Sequence, residues 1–346
     1  MDLYKKAADR GTELRILLTR LRFLGDIVIT TPVIEALREC FPDAVIYYMA
    51  QEEYASVLEG NPFLDGILSL RKGLIGTLSM IRRIRRMKFT AAIDLFYNPR
   101  SANLLFLSGI PVRIGGSRKS RKKLYTDNFS VPGSVRSAVE HHLSALSAIS
   151  CKPGVSRIPR VYLQEEELEE GREIIKECTG LAAEEEKIVS IHPGGTWQAK
   201  RWPPDHFAGL IDRIKEGLGA RSVLITGPGE EAIIGEVAGL CRHSPGIIPV
   251  LPVRKAGAVM KVSDLTVAND GGIMHLSVAL RNPTVGIFGP TEPDIWFPYS
   301  HSGPFRLATM NLDCAPCHRH YCEHPECLTE LPVERVFRKL LEVKAI

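Results

Sequence analysis

No uninterrupted apolar run in the 346 residues approaches the roughly 20 needed to cross a bilayer, which excludes an ordinary membrane-spanning helix. The opening stretch MDLYKKAADRGTEL is too polar for a secretory signal, so the protein is expected to stay in the cytosol. Internal repeats and low-complexity tracts are also missing, which sets aside solenoids and biased linkers. Cysteine is scarce and uneven. Cys40, Cys151, Cys178 and Cys241 stand singly, whereas Cys314, Cys317, Cys322 and Cys327 crowd one short segment. In a reducing compartment that crowding points to metal or thiol chemistry rather than disulfides.

What is there is globular. With 45% hydrophobic and 24% charged residues, the length suits two domains, each able to bury its own core. The net charge of +4 conceals an asymmetry. Residues 1–150 hold 22 Lys and Arg against 14 Asp and Glu, and the remainder 22 against 26, so the halves carry +8 and −4. Most of the excess lies in Arg82, Arg83, Arg85, Arg86 and Lys88 and in Arg118, Lys119, Arg121, Lys122 and Lys123. Either cluster alone can be a solvated face; together they suggest a polyanionic partner or an anionic membrane surface.

Short apolar runs at 15–19, 44–50, 66–70 and 91–96 read as strands, with helical patterns through Val33, Ile34, Leu37 and Phe41 and through LIGTLSMIRRIRRM. The Pro- and Gly-bearing CKPGVSRIPR (151–160) is the linker candidate, followed by an acidic helix at 164–177. The pattern then restarts with KIVSIHPGG, SVLITGPG, GIIPVLP, DLTVAND and PTVGIFGP. Strands alternating with helices imply parallel sheets covered on both faces. The expected fold is therefore α/β, with doubly wound domains at 1–160 and 161–346 and ligands in a crevice at the carboxyl ends of the strands.

Chemistry concentrates where strands end. Gly25 and Asp26 follow the first strand; Asp26 can be a helix N-cap, or a general base aimed at a ligand. His192-Pro193-Gly194-Gly195-Thr196 is a turn whose backbone N–H groups can approach an anion, with Lys200 and Arg201 in the same loop. The alternative is an ordinary turn with a solvated Lys-Arg pair. Glu230 and Glu231, in ThrGlyProGlyGluGlu, can serve the helix dipole or accept hydrogen bonds from ribose hydroxyls. Asp270, Gly271 and Gly272 open a helix that carries His275 one turn in, a second anion site.

Taken together, LTRLRFLGDIVITTPVIEAL, IHPGGTWQAKRWPPDHF, LITGPGEE and VANDGGIMHLSVAL…PTVGIFGPTEP closely resemble glycosyltransferase family nine, the lipopolysaccharide heptosyltransferases, from about residue 14 to 337. RSANLLFLSGIPVRIGG (100–116) also fits. The resemblance implies a GT-B enzyme of two Rossmann-like domains facing across a cleft, inverting and needing no cofactor for catalysis. It implies transfer of heptose from ADP-heptose to lipid-linked core oligosaccharide of lipopolysaccharide, at the inner face of the cytoplasmic membrane. Asp26 falls on the catalytic acidic position and Lys200 on the diphosphate lysine. Gly195, Thr196, Glu230 or Glu231, Asp270, Gly271, Gly272 and His275 fall on the rest of the donor site. Gly25, Arg100, Arg118 and Lys119 are expected on the acceptor side. Gly271 stands where some members carry a hydroxyl residue, so one donor contact is missing. The alternatives are a GT-B transferase using another nucleotide sugar, and a non-catalytic glycolipid-binding paralogue.

The segment CAPCHRHYCEHPEC has spacing close to a zinc knuckle, with His318, His320 and His324 as substitute ligands. A structural zinc on Cys314, Cys317, Cys322 and Cys327 and a set of free thiols are the two expectations. Nucleic acid is not an expected partner, because Tyr321 alone could stack on a base.

Overall fold

In the computed structural model, which describes residues 2–9, 11–117, 121–152, 154, 156–180, 186–300 and 302–343, the aliphatic run Arg15–Thr19 is strand β1 of a parallel sheet. By internal packing the chain divides into two units, Met1–Tyr162 and Leu163–Ile346. The first unit adds β2 (Val45–Gln51), β3 (Gly66–Leu70), β4 (Ala91–Asp94), β5 (Val112–Gly116) and β6 (Asp127–Phe129). They lie in the order β3-β2-β1-β4-β5-β6, every neighbour parallel. The second unit holds β7 (Ile188–His192), β8 (Arg221–Ile225), β9 (Gly246–Ile248), β10 (Leu265–Asn269), β11 (Thr284–Phe288) and β12 (Phe305–Thr309). Its order, β12-β11-β10-β7-β8-β9, is again parallel throughout. Counted from its own first strand, each sheet runs 3-2-1-4-5-6, so each has its switch point between the first and fourth strands.

Burial explains why these runs become strands. Every residue of β4, β7, β10 and β11 is buried, as expected for sheets with helices on both faces. Edge strands are less completely covered, as in β12, where Arg306 and Leu307 are half-buried between buried Phe305 and Ala308. The helix Pro204–Leu218 shows the local logic of the connections. Proline at its first position costs no hydrogen bond, Gly219 closes it in the left-handed region, and Phe207, Leu210, Ile211 and Ile214 form one apolar stripe. That stripe packs into a core with Val189, Trp202, Leu224, Val267 and Val285, sealed by Val336, Phe337 and Leu340 of the helix Val333–Glu342. Asp in place of fully buried Ile214 would put an unpaired charge there and unfold this unit.

Two features depart from the sequence-based expectation. Cys40 and Cys151, isolated in the chain, form a disulfide across 111 residues that ties the end of the helix Thr31–Cys40 to the last part of the first unit. Asp26 is not an N-cap residue: it lies third in the helix Leu24–Ile29, and its carboxylate accepts the Phe23 N–H as the return half of a capping box. Among the described residues no helix is long and apolar enough to cross a membrane.

Candidate functional site

In the second unit the loops after β7, β8 and β10 converge, because the two strands at the switch point and their neighbour end side by side. Glu230 is the fastener. Its Oε1 accepts the Gly195 N–H at 2.8 Å, and its Oε2 accepts the Gly227 N–H at 3.0 Å and meets His192 Nε2 at 2.9 Å. Burial by itself would raise this carboxyl. The bonds from His192 and the two amides outweigh it and hold the group below the ordinary glutamate value. Gly194 and Gly227 are glycine for a packing reason, since a Cβ would sit 2.1 Å and 2.4 Å from the Glu230 carboxylate. A carboxylate offers about four lone-pair sites, and three are used, so one remains for a ligand hydroxyl. Glu231, the other candidate, is exposed on the first turn of the next helix.

Asn269 clamps the same turn from below. Its side-chain amide donates to the carbonyls of Pro193 and Gly194 at 2.9 and 3.0 Å and accepts the Trp202 N–H at 3.2 Å. Asp270 then leaves the strand with its side chain 3% exposed, and its Oδ2 takes an ion pair from Lys200 Nζ at 2.6 Å and the Thr291 hydroxyl at 2.5 Å. Lys200 also stands over the Trp197 ring, 4.3 Å from its centroid. Gly271 and Gly272 begin the helix Gly272–Ala279, whose free N–H groups open beside that pair, and His275 is buried in its first turn. Thr196 is exposed beyond Gly195. The arrangement joins Lys200, Arg201 with its Nε on the Gly195 carbonyl at 2.8 Å, two Gly-rich turns and a helix N-terminus, a combination suited to a diphosphate.

A model of the family described as Glycosyltransferase family 9 (heptosyltransferase) matches residues 77–327, well over half of the sequence. The chain belongs to glycosyltransferase family 9. Lipopolysaccharide heptosyltransferase 3 of Escherichia coli strain K12 is 24% identical over 334 residues, covering 91% of this chain and 94% of that protein. Among solved structures, E. coli ADP-heptose lipopolysaccharide heptosyltransferase II superposes with a TM-score of 0.80 at 21% identity, over 95% and 98% of the two chains. E. coli heptosyltransferase WaaC with ADP-2-deoxy-2-fluoro heptose superposes at 0.71 with 16% identity, over 95% and 99%. These likenesses identify the two α/β units as the GT-B architecture.

The family span contains the three loops after β7, β8 and β10 and the four clustered cysteines, whereas Asp26 precedes it. In this family 9 glycosyltransferase, Asp26 lies at the switch point of the first unit, where Oδ1 meets Arg20 Nη2 at 2.7 Å and Oδ2 meets the Phe23 N–H at 3.0 Å. Gly25 is buried one position earlier in the same helix. Arg20 was not legible as a partner from sequence; it also donates to the Leu95 carbonyl at 3.2 Å and stands 4.6 Å over Phe96. Asp94, at the end of β4, is fully buried. Burial raises its carboxyl above the ordinary value, although it accepts from the Tyr97 N–H and Tyr125 Oη at 2.8 Å each. Tyr97 holds a left-handed backbone (φ 34°) and joins His141 Nε2 through its hydroxyl at 2.8 Å. Burial, and secondarily the Arg20 charge, lower the His141 pKa. Arg100 is half-buried and donates to the Arg71 carbonyl at 3.0 Å. Arg118 and Lys119 lie outside the described residues.

The cysteine-rich segment packs onto the loops after β7 and β11. His320 stacks on Trp197 with centroids 3.6 Å apart, its carbonyl accepts the Ala199 N–H, and the Cys317 and His318 N–H groups donate to Pro290. Cys314 and Cys317 are exposed, Cys322 half-buried and Cys327 buried. The Cys327 thiol is pushed up to about 11 by burial first, then by the neighbouring Cys314, Cys317 and Cys322. The four thiols thus share a neighbourhood of the right ligand type for zinc, but among the described residues no three His, Cys, Asp or Glu side chains converge on one point.

Proposed function

We propose that this enzyme moves a heptose from ADP-heptose onto a hydroxyl of lipid-linked lipopolysaccharide core, with inversion at the anomeric carbon. The observation that carries the reading is the Lys200–Asp270 pair at the mouth of the Gly272–Ala279 helix, beside the Gly194-Gly195 turn held by Glu230 and Asn269. An ADP diphosphate would take the Lys200 ammonium and the helix N–H groups. The vacant lone pair of Glu230 suits a ribose hydroxyl, which makes Glu230 rather than exposed Glu231 the ribose ligand. The E. coli heptosyltransferase structure with ADP-2-deoxy-2-fluoro heptose supports the choice of donor.

Asp26 accepts the proton of the acceptor hydroxyl as that oxygen bonds to the anomeric carbon. The bond from the same carbon to the β-phosphate oxygen breaks, and ADP leaves with charge stabilised by Lys200 and the helix N-terminus. Arg20 and the Phe23 N–H occupy one site on each carboxylate oxygen, which fixes the base in place and leaves lone pairs for the incoming proton. Gly25, Arg100, Arg118 and Lys119 remain the proposed acceptor-side residues, and Arg20, Tyr97 and His141 join them. The anionic, lipid-linked acceptor matches the +8 charge of residues 1–150 and a peripheral place at the cytoplasmic face of the inner membrane. Zinc on the four cysteines would staple the segment that carries His320 and has no part in the transfer.

Incubation with ADP-heptose and a panel of lipid-linked cores should release ADP only where an acceptor is present. UDP-sugars should release nothing. Equal turnover of a UDP-sugar would move the enzyme to another donor class.

A further inference from the structure

The helix Gly73–Met87 has an apolar side it does not need for folding. Met80, Ile81 and Ile84 turn inward and are buried with Leu17, Leu68, Phe89 and Leu104. Nearer the start of the helix, and turned away from that stripe at Ile75 and Leu78, Leu74 is 74% exposed, Ile75 86% and Leu78 43%. Single exposed aliphatics are ordinary, but three within five residues make a contiguous patch. At 3.6 residues per turn, Leu74, Leu78, Arg82 and Arg86 follow one row at four-residue spacing, Ile75 lies beside that row and Arg83 flanks it, so the apolar patch passes along the same side into basic residues about 12–18 Å beyond Leu74. Arg82, Arg83 and Arg86 are exposed and have no acidic partner among the described residues. Near the helix start, Glu52 and Glu53 are already paired with Arg71 and Lys72. Arg85 donates to the Leu107 carbonyl at 2.7 Å, which brings exposed Phe106 and Leu107 alongside.

We infer that this helix seats the enzyme on an anionic lipid bilayer, with Leu74, Ile75 and Leu78 entering the boundary between headgroups and acyl chains and Arg82, Arg83 and Arg86 meeting lipid phosphates. The chemistry selects this occupant. A second copy would oppose arginine to arginine, and a nucleic acid would leave the aliphatic triplet in water. A bilayer covers both parts at once: the hydrocarbon boundary takes the triplet, and guanidinium groups on flexible stems reach the phosphate layer. The inference rests on the proposed function only in that the acceptor is lipid-linked. It adds an apolar, salt-resistant component to a contact that charge alone would make fully salt-sensitive.

The test is co-sedimentation of the full chain with phosphatidylglycerol or phosphatidylcholine vesicles. The variants are Leu74→Ser/Ile75→Ser/Leu78→Ser and Arg82→Gln/Arg83→Gln/Arg86→Gln, with ADP titration as the check on folding. The parent should prefer phosphatidylglycerol. The serine variant should lose roughly tenfold or more of the partition at low salt. The glutamine variant should lose mainly the part that salt removes, and both should bind ADP as the parent does. Parent-like vesicle binding by the serine variant would overturn the inference, as would equal binding to both lipids. So would a parent dimer that the serine substitutions dissociate while vesicle binding stays unchanged. Sedimentation needs neither donor nor acceptor, so vesicle binding without heptosyl transfer would remove the functional reading and leave the membrane seat, and the reverse result would do the opposite.

Discussion

Lys200→Met should cost the second unit more stability than its one lost ion pair suggests, because it strands Asp270. That carboxylate is 3% exposed and would keep only the Thr291 hydroxyl as a side-chain partner. Breaking a buried pair from one side costs about 3–5 kcal/mol, a large share of the roughly 5–15 kcal/mol a domain has. Asp270→Asn should cost less, about 1–2 kcal/mol, because the stranded ammonium is 15% exposed, can reach water and keeps the Trp197 face. The double variant Lys200→Met/Asp270→Asn removes both charges and should recover about 1–3 kcal/mol relative to the sum of the singles. Trp197, Trp202 and Trp296 are the only tryptophans, and all lie in the second unit, so urea unfolding followed by tryptophan fluorescence isolates that unit. ADP titration of the double variant then separates affinity from stability. A Lys200→Met midpoint equal to the parent's, or a double variant showing plain additivity, would refute the pairing and the diphosphate role built on it.

Glu230 supplies a pH prediction. Its folded pKa is depressed below 4.5, so its contribution is present above the unfolded value and is lost as pH falls through the folded one. The second unit should weaken between about pH 5 and 3, with a shallower acid slope in Glu230→Ala; identical slopes in acid urea melts would contradict this. Gly271 has extended backbone (φ −178°), and a Cβ there meets nothing nearer than the Asn269 carbonyl at 3.7 Å. Gly271→Ser should fold normally and tighten ADP binding by roughly 2- to 10-fold by restoring a hydroxyl donor, with a tenfold loss in calorimetric titration counting against it. If Cys314, Cys317, Cys322 and Cys327 draw together on a metal, protein purified without chelator should carry about one zinc per chain and lose thermal stability when it is stripped. Elemental analysis finding no stoichiometric metal decides for free thiols.

The central strands were legible because they are short aliphatic runs closed by Gly-rich turns; β1 and β3 match their sequence-derived bounds residue for residue. The edge strand β12 was missed because Arg306 interrupts its short apolar run, and the three-residue β6 is too short to show a period. In the second unit the sequence marked the strand-end loops but not what holds them. Glu230 and Glu231 look alike in sequence, and the structure separates them by giving Glu230 His192 and the backbone amides of Gly195 and Gly227 while Glu231 stays exposed. The partnerships of Arg20 with Asp26 and of Trp197 with His320 depend on loop paths that carry no periodic signal. The Cys40–Cys151 disulfide spans 111 residues, a separation at which sequence alone offers no pairing rule.

The central claim, heptosyl transfer with Asp26 as base, is tested most directly by the acceptor itself. Parent and Asp26→Asn enzyme would be given ADP-heptose and the best lipid-linked core, and the product followed by mass and by anomeric configuration. Asparagine can still accept the Phe23 N–H, but its amide faces the Arg20 guanidinium, so the variant should be less stable by about 1–3 kcal/mol and yet remain folded at assay temperature. The account predicts one heptose added with inversion by the parent, and a rate about 10²- to 10⁴-fold lower in the folded, ADP-binding variant. Near-parental transfer by Asp26→Asn, or a product of retained configuration, would contradict it.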